Sequence, residues 1–374
     1  MNVQPGHMVA AEEMFRSDDL LVRRVGGFGG RICYVTFDSY TDNRTLDRPG
    51  FGEDYFRGRG IDAIHVLSRE NRWYQHGELA DALDAVAAAA ASYDRVIAYG
   101  SSMGGFAALR YGASCGATVG MALSPQFSVD PAIVPFDRRW ADDVARINFR
   151  DDDRLPTLTE QYIAFDPADA HDRQHFELFA ARSSTSGVPV PHGGHPVGSY
   201  LVETGMLQPL LEEIESGEFD PQTHARELRR RRRRSGHYFY ILAQRVPAHR
   251  PLQKVALARL AVETHGDNPL YRSQLGAALD AAGDFDAAYA VHAEAIGMSN
   301  ANMFQVHYLM LHHEARGEYD QALAIVDRLI AEHPDVLWLP LERKRVRRKR
   351  RHATWLGRLG GQLGLDGVLE RLLY

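Results

Sequence analysis

Arg95-Val96-Ile97-Ala98-Tyr99-Gly100-Ser101-Ser102-Met103-Gly104-Gly105-Phe106-Ala107-Ala108-Leu109-Arg110-Tyr111 joins an apolar strand-forming run, a Gly-x-Ser-x-Gly turn and a helix-forming run in direct succession. A serine between a strand and a helix that follow so closely must take strained φ/ψ values. The side-chain-free neighbours Gly100 and Gly104 let the two backbones approach. Such a turn lifts the Ser102 hydroxyl clear of the sheet. The first amides of the new helix, Met103 foremost, then point into the space beside it, a nucleophile with part of an oxyanion hole.

Working outward, residues from about 20 to 216 alternate short apolar runs with helical stretches. Leu20–Val25, Arg31–Phe37, Ala63–Leu67, Val96–Gly100, Thr118–Ser124, Tyr162–Phe165 and Gly187–Val190 read as strands, bounded by Gly, Pro or Asp. Glu78–Ala91, Met103–Tyr111, His171–Arg182 and Gly198–Ile214 read as helices. The alternation predicts an α/β fold, a mostly parallel sheet flanked by helices, with ligands at the carboxyl ends of the strands, where Ser102 falls.

The chain has 374 residues, 45% hydrophobic and 25% charged, which suits a globular protein of two domains. Met1 to Ser17 carries no apolar run, and no stretch approaches a membrane span, so a cytoplasmic location is expected. Cys33 and Cys115, the two cysteines, are expected to be buried free thiols. The net charge of −6 is unevenly spread. Arg229–Arg234 is six consecutive arginines, and Arg343–Arg351 holds eight basic residues interrupted only by Val346. Of 43 Lys and Arg these runs hold 14, leaving 29 against 49 acidic residues elsewhere. Basic runs on an acidic protein are solvated helix faces or linkers in the simplest reading. An anionic surface, including the inner face of a membrane, is the alternative partner; nucleic acid is not the expected one.

Beyond the first arginine run no strand pattern appears between Gly236 and Pro334. Gly283-Asp284-Phe285 recurs as Gly317-Glu318-Tyr319, 34 residues on, with Leu275 aligned to Leu309 and Ala288 to Ala322. The pattern resembles the tetratricopeptide repeat, with Leu275-Gly276 in a first helix, Ala295 at a small position of the second and Pro334 closing the array. Met310 and Leu329 stand where that repeat has small residues, and Gly236 to Asn268 reads as a degenerate earlier unit. The resemblance implies a groove for a peptide or partner protein. In the tail, Leu356, Leu359, Leu363, Leu369, Leu372 and Leu373 are loosely spaced for a helix that caps the array or rests on a membrane surface. The expected divisions are 1–220 for the α/β domain, 221–235 for an arginine-rich linker or helix, 236–340 for the repeats and 341–374 for the basic segment and tail.

A serine nucleophile needs a base, and the base an orienting acid. In His192-Gly193-Gly194-His195-Pro196, after the last strand-like run, His195 is the favoured base and His192 the alternative. Beyond the strand Tyr162–Phe165, Asp166 is placed to cap the turn before Pro167. Asp169 is the favoured acid, and Asp172 is the alternative, read otherwise as a helix cap. The order Ser102, acid, His195 is that of the α/β hydrolases.

On these features, residues from about 30 to 216 resemble the α/β-hydrolase family. Tyr99 to Gly105 and Arg72-Trp73-Tyr74 are similar to bacterial hydrolases associated with surface-polysaccharide and glycan loci. The family resemblance implies a second oxyanion donor after the strand Arg31–Phe37. Asp38-Ser39-Tyr40 replaces the usual His-Gly pair there, so the backbone of Asp38 or Ser39 would serve beside Met103. It also implies a cofactor-free serine esterase or acyltransferase, acting on a small acyl ester of a carbohydrate or glycan precursor. Trp73 and Tyr74 are expected at the rim, to stack on substrate or to pack in the core. Ser128 to Pro156 is the expected lid, short and polar through Phe136-Asp137-Arg138-Arg139-Trp140 and Asp151-Asp152-Asp153, which argues against long-chain lipid substrates. The sheet is expected to be trimmed at its N-terminal side. A hydrolase-like scaffold without turnover, working through its repeats, is the competing reading. No metal-ligand spacing stands out.

Overall fold

The computed structural model describes residues 11–149, 156–334, 336 and 338–363, with side chains as far as 355. Eight strands form one sheet: β1 (Ala11–Arg16), β2 (Leu20–Val25), β3 (Ile32–Phe37), β4 (Asp62–Ser68), β5 (Arg95–Ser101), β6 (Val119–Leu123), β7 (Glu160–Phe165) and β8 (Thr185–Pro189). Their spatial order is β1-β2-β4-β3-β5-β6-β7-β8. β2 runs antiparallel to both neighbours, and every other pair is parallel. This is the strand order of the α/β-hydrolase fold. The expectation of a trimmed sheet is therefore corrected. The strand missing from the sequence reading is β1, an edge strand whose Ala-Glu-Glu-Met-Phe-Arg lies largely exposed and carries little apolar signal.

Central strands read clearly because helices cover both faces. All seven residues of β4 are buried, and in β3 only Ile32 is partly exposed. The covering helices are α1 (Glu53–Arg59), α2 (Leu79–Ala90), α3 (Met103–Tyr111), α4 (Ala141–Val144), α5 (Ala170–Ala180), α6 (Gly198–Glu203), α7 (Leu207–Ser216) and α8 (Pro221–Arg231). In α2, Leu79, Ala82, Leu83, Val86 and Ala90 form one buried face at helical spacing. The single helix expected over Gly198–Ile214 is two, because Gly205 takes a φ of +65° between them.

The chain divides into two compact units, Met1–Arg232 and Arg233–Tyr374. The first arginine run is helical: Arg229–Arg231 end α8, and Arg232–Arg234 form one 3₁₀ turn. The second unit is all helix among its described residues: α9 (Gly236–Gln244), α10 (Pro251–Thr264), α11 (Pro269–Ala282), α12 (Phe285–Met298), α13 (Met303–Ala315), α14 (Tyr319–Glu332) and α15 (Leu339–Leu363). α13 begins 34 residues after α11, and α14 the same distance after α12. Gly283 and Gly317 close the first helix of each pair at φ +81° and +74°, and Ala288 and Ala322 are fully buried.

The second basic run lies on α15, with Val346 buried. Arg350 pairs with Asp320 at 3.0 Å and Arg345 with Glu342 at 2.6 Å, while Arg345 and Lys349 also reach Glu314. Asp151-Asp152-Asp153 and the leucines at 369, 372 and 373 lie outside the described residues, as do the side chains of Leu356, Leu359 and Leu363. No helix among the described residues is long and apolar enough to cross a membrane.

Candidate active site

Ser102 sits between β5 and α3 at φ +51°, ψ −115°, a conformation that L-residues adopt only under constraint. The two glycines of the motif are sterically required. A Cβ on Gly100 would meet the Gly104 carbonyl, and one on Gly104 would meet the Phe37 carbonyl of β3. The Ser102 N–H donates to the Leu123 carbonyl at 2.8 Å, and its own carbonyl accepts the Phe106 N–H at 2.9 Å, which pins both sides of the turn.

Ser102 Oγ lies 3.0 Å from His195 Nε2. On the far side of the ring, His195 Nδ1 lies 2.8 and 3.0 Å from the two carboxylate oxygens of Asp172. A carboxylate against Nδ1 keeps the proton there, so Nε2 presents its lone pair to the serine hydroxyl. Of the two acids weighed from the sequence, Asp172 faces the histidine. Asp169, the favoured one, is instead the N-cap of α5 and accepts the N–H groups of His171 and Asp172, each at 3.0 Å. It thereby fixes the first turn that carries Asp172. Asp166, fully buried, accepts the N–H groups of Ala168, His192 and Gly194 at 2.9–3.0 Å, tying the histidine loop to the end of β7. His192 enters that loop at φ +63°.

Asp38 does not offer a donor to the serine. Its N–H continues the sheet ladder to the Val66 carbonyl at 3.2 Å. Its carboxylate turns away, to Arg48 Nη2 at 2.6 Å and the Phe51 N–H at 3.1 Å. Burial pushes this carboxyl up to about 6, only partly offset by the Arg48 guanidinium. Ser39 sends its hydroxyl to the Ser101 carbonyl at 2.9 Å. The N–H groups of Ser39 and Met103 carry no hydrogen bond among the described residues.

Trp73 and Tyr74 do not form a rim. Both are fully buried on consecutive positive-φ residues. The Tyr74 hydroxyl reaches the Asp38 and Val66 carbonyls, each at 3.1 Å. The Trp73 indole N–H donates to Gln126 Oε1 at 3.1 Å, and Gln126 Nε2 donates to Ser102 Oγ at 3.1 Å. Because Oε1 already receives the indole, the amide nitrogen must face the serine. Its donation occupies a lone pair of Oγ and leaves the serine proton directed at His195. Gln126 escaped the sequence reading. Its one signal is position, in the loop just past β6, the strand beside the elbow.

The lid segment also reaches the site. Arg139 pairs with Asp137 at 2.7 Å and with Asp172 at 3.4 Å. Asp137 also accepts from His175 Nε2 at 3.0 Å. Burial opposes ionisation of Asp137, but the hydrogen bonds from His175 and Arg139 outweigh it and hold the carboxyl below the usual range. The Trp140 ring packs 5.0 Å from Tyr40, 5.6 Å from Trp73 and 6.2 Å from the His195 ring. Among the described residues one trio has a donor set for a metal ion, Asp280, His292 and His312 in the second unit. There the Asp280 carboxylate bridges the two imidazoles at 3.1 and 2.6 Å, the separations of hydrogen bonds.

No family model and no curated protein matches the sequence. Solved structures do resemble it. The capsule O-acetyltransferase of Neisseria meningitidis serogroup A is 12% identical with a TM-score of 0.37, over 50% of this chain and 88% of that one. Est1E from Butyrivibrio proteoclasticus is 13% identical with a TM-score of 0.37, over 55% and 99%. FphF, a fluorophosphonate-binding serine hydrolase of Staphylococcus aureus, is 14% identical with a TM-score of 0.35, over 49% and 91%. At these identities the likeness is one of fold.

Proposed function

We propose that the first unit is a serine hydrolase or acyltransferase acting on an acyl ester. The observation that carries this reading is the hydrogen-bonded series Asp172–His195–Ser102 on a strained elbow, beside two uncommitted backbone N–H groups. Ser102 Oγ adds to the ester carbonyl as its proton passes to His195 Nε2. The carbonyl oxygen, now an oxyanion, takes hydrogen bonds from the Ser39 and Met103 N–H groups. Collapse expels the alcohol, which leaves with the proton from His195, and the acyl group stays on Oγ. Water or a second hydroxyl, deprotonated by the same imidazole, then releases the acid or a new ester. An acyl ester of a carbohydrate is the substrate we favour from the sequence resemblance.

The test is a fluorophosphonate probe on the full chain, with the labelled peptide identified by mass spectrometry. Labelling at Ser102 that disappears in Ser102→Ala is the expected result. A folded wild-type protein that stays unlabelled would overturn the reading and favour a scaffold without turnover. The 3.0 Å between Ser102 Oγ and His195 Nε2 is the observation against that alternative.

A further inference from the structure

A cleft of about 630 Å³ opens in the first unit beside the elbow. Ser39, Ser101 and Pro196 are among the residues that line it. Ser39 carries one of the two uncommitted N–H groups, Ser101 precedes the nucleophile, and Pro196 follows His195. The cleft is thus lined by Ser39 and by the chain neighbours of the nucleophile and the base, Ser102 and His195 themselves lying outside its lining. Tyr55 of α1, Tyr99 of β5 and Val202 of α6 line it as well. The lining is mostly apolar, with Ser199 and Glu203 its other polar side chains beside Ser39 and Ser101, and the Ser39 hydroxyl is already taken by the Ser101 carbonyl. Val202 is 60% exposed, an apolar side chain left at the surface on the cleft wall rather than in the core.

We infer that this cleft receives the acyl chain of the ester, and that the chain is an alkyl or aromatic group larger than acetyl; the inference rests on the proposed acyl-transfer reading. Ser39 sets the direction. An ester whose carbonyl oxygen faces the Ser39 N–H carries its acyl substituent on the adjoining carbon, two bonds from that oxygen, near the residue that also walls the cleft. The departing alcohol must face His195 Nε2 to collect its proton, and His195, unlike Ser39, does not line the cleft. Burying alkyl groups against aromatic and aliphatic walls then contributes to transition-state binding, about fourfold in kcat/KM for each methylene, from about 0.8 kcal/mol per buried CH₂.

The experiment compares p-nitrophenyl acetate, butyrate and hexanoate on the full chain, alongside fluorophosphonate labelling of Ser102. With the leaving group constant, kcat/KM should rise about fourfold per methylene from acetate to hexanoate. Val202→Trp, a change at an exposed position that the fold tolerates, should narrow the cleft and lower the hexanoate-to-acetate ratio at least tenfold. Ser102 that labels while kcat/KM is flat or falls with chain length would overturn the cleft assignment and leave the acyl-transfer reading standing. So would a Val202→Trp protein with an unchanged ratio. Absence of both labelling and turnover would overturn the two together.

Discussion

The sharpest test of the site separates two acids three residues apart. Asp172 has a side chain only 1% exposed, and both its oxygens lie within 3.0 Å of His195 Nδ1. In Asp172→Asn the amide can offer an N–H to Nδ1. The imidazole then carries its proton on Nε2, where the serine needs an acceptor. A tautomer error of this kind costs about 10⁴ in kcat, roughly 5.5 kcal/mol at 1.36 kcal/mol per decade. Arg139 stays anchored by Asp137, so the variant should fold. Asp169→Ala instead removes a cap that accepts two N–H groups, which costs about 1 kcal/mol of stability and a Tm shift of about 2–4 °C for a unit of this size. Its kcat should stay within about threefold of wild type, and Asp169→Asn, an equally good cap, should be close to neutral. The assay is p-nitrophenyl ester hydrolysis at matched folded concentration, with thermal melts of each variant. Retention of activity within tenfold by Asp172→Asn, or a loss of a thousandfold in Asp169→Ala without unfolding, would refute the assignment.

Gln126→Ala removes the donor to Ser102 Oγ and should lower kcat/KM about fivefold or more, from the roughly 1 kcal/mol of one buried hydrogen bond. Trp73→Phe frees the amide to turn and should cost a similar factor. The double variant should lose less than the two factors multiplied, and full additivity would show that the indole does not act through Gln126. The Asp137 carboxyl, held below its ordinary pKa in the folded state, contributes stability that is fully present above about pH 4 and lost as pH falls through its folded value. Urea midpoints measured between pH 7 and pH 3 should drop at the acid end, and Asp137→Asn should show a shallower fall; equal slopes would contradict the Arg139–His175 account.

Strands β3 to β7 were legible because buried parallel strands are apolar runs, and Ser102 because a strand–turn–helix junction leaves few side chains room. β1 was hidden by its edge position, where polar residues are tolerated. The acid was ambiguous for a different reason. Asp166, Asp169 and Asp172 are chemically identical and follow one another at intervals of three residues, yet one anchors a loop, one caps a helix and one meets the histidine. Only the path of the backbone distributes those roles. Of the two alternatives for Trp73 and Tyr74, stacking on substrate or packing in the core, the structure shows the second, on successive residues with φ values of +48° and +58°. Neither residue type signals a left-handed backbone. Gln126 belongs to no motif, and its meaning depends on an indole 53 residues earlier in the chain.

The hydrogen bonds of Asp166 have a mechanical consequence. One carboxylate ties the histidine loop to the end of β7, and the helix bearing Asp172 starts from that same strand end. Base and acid are therefore both held at the end of β7, while the nucleophile is held between β5 and β6, and the Val197 N–H joins the two by donating to Ser124 Oγ at 3.3 Å. The His195–Asp172 pair is thus held by one strand end, whereas the Ser102–His195 pair spans two. A displacement of one strand end against the other would change the Ser102–His195 distance before the His195–Asp172 one, and the carboxylate would still hold the Nδ1 proton in place.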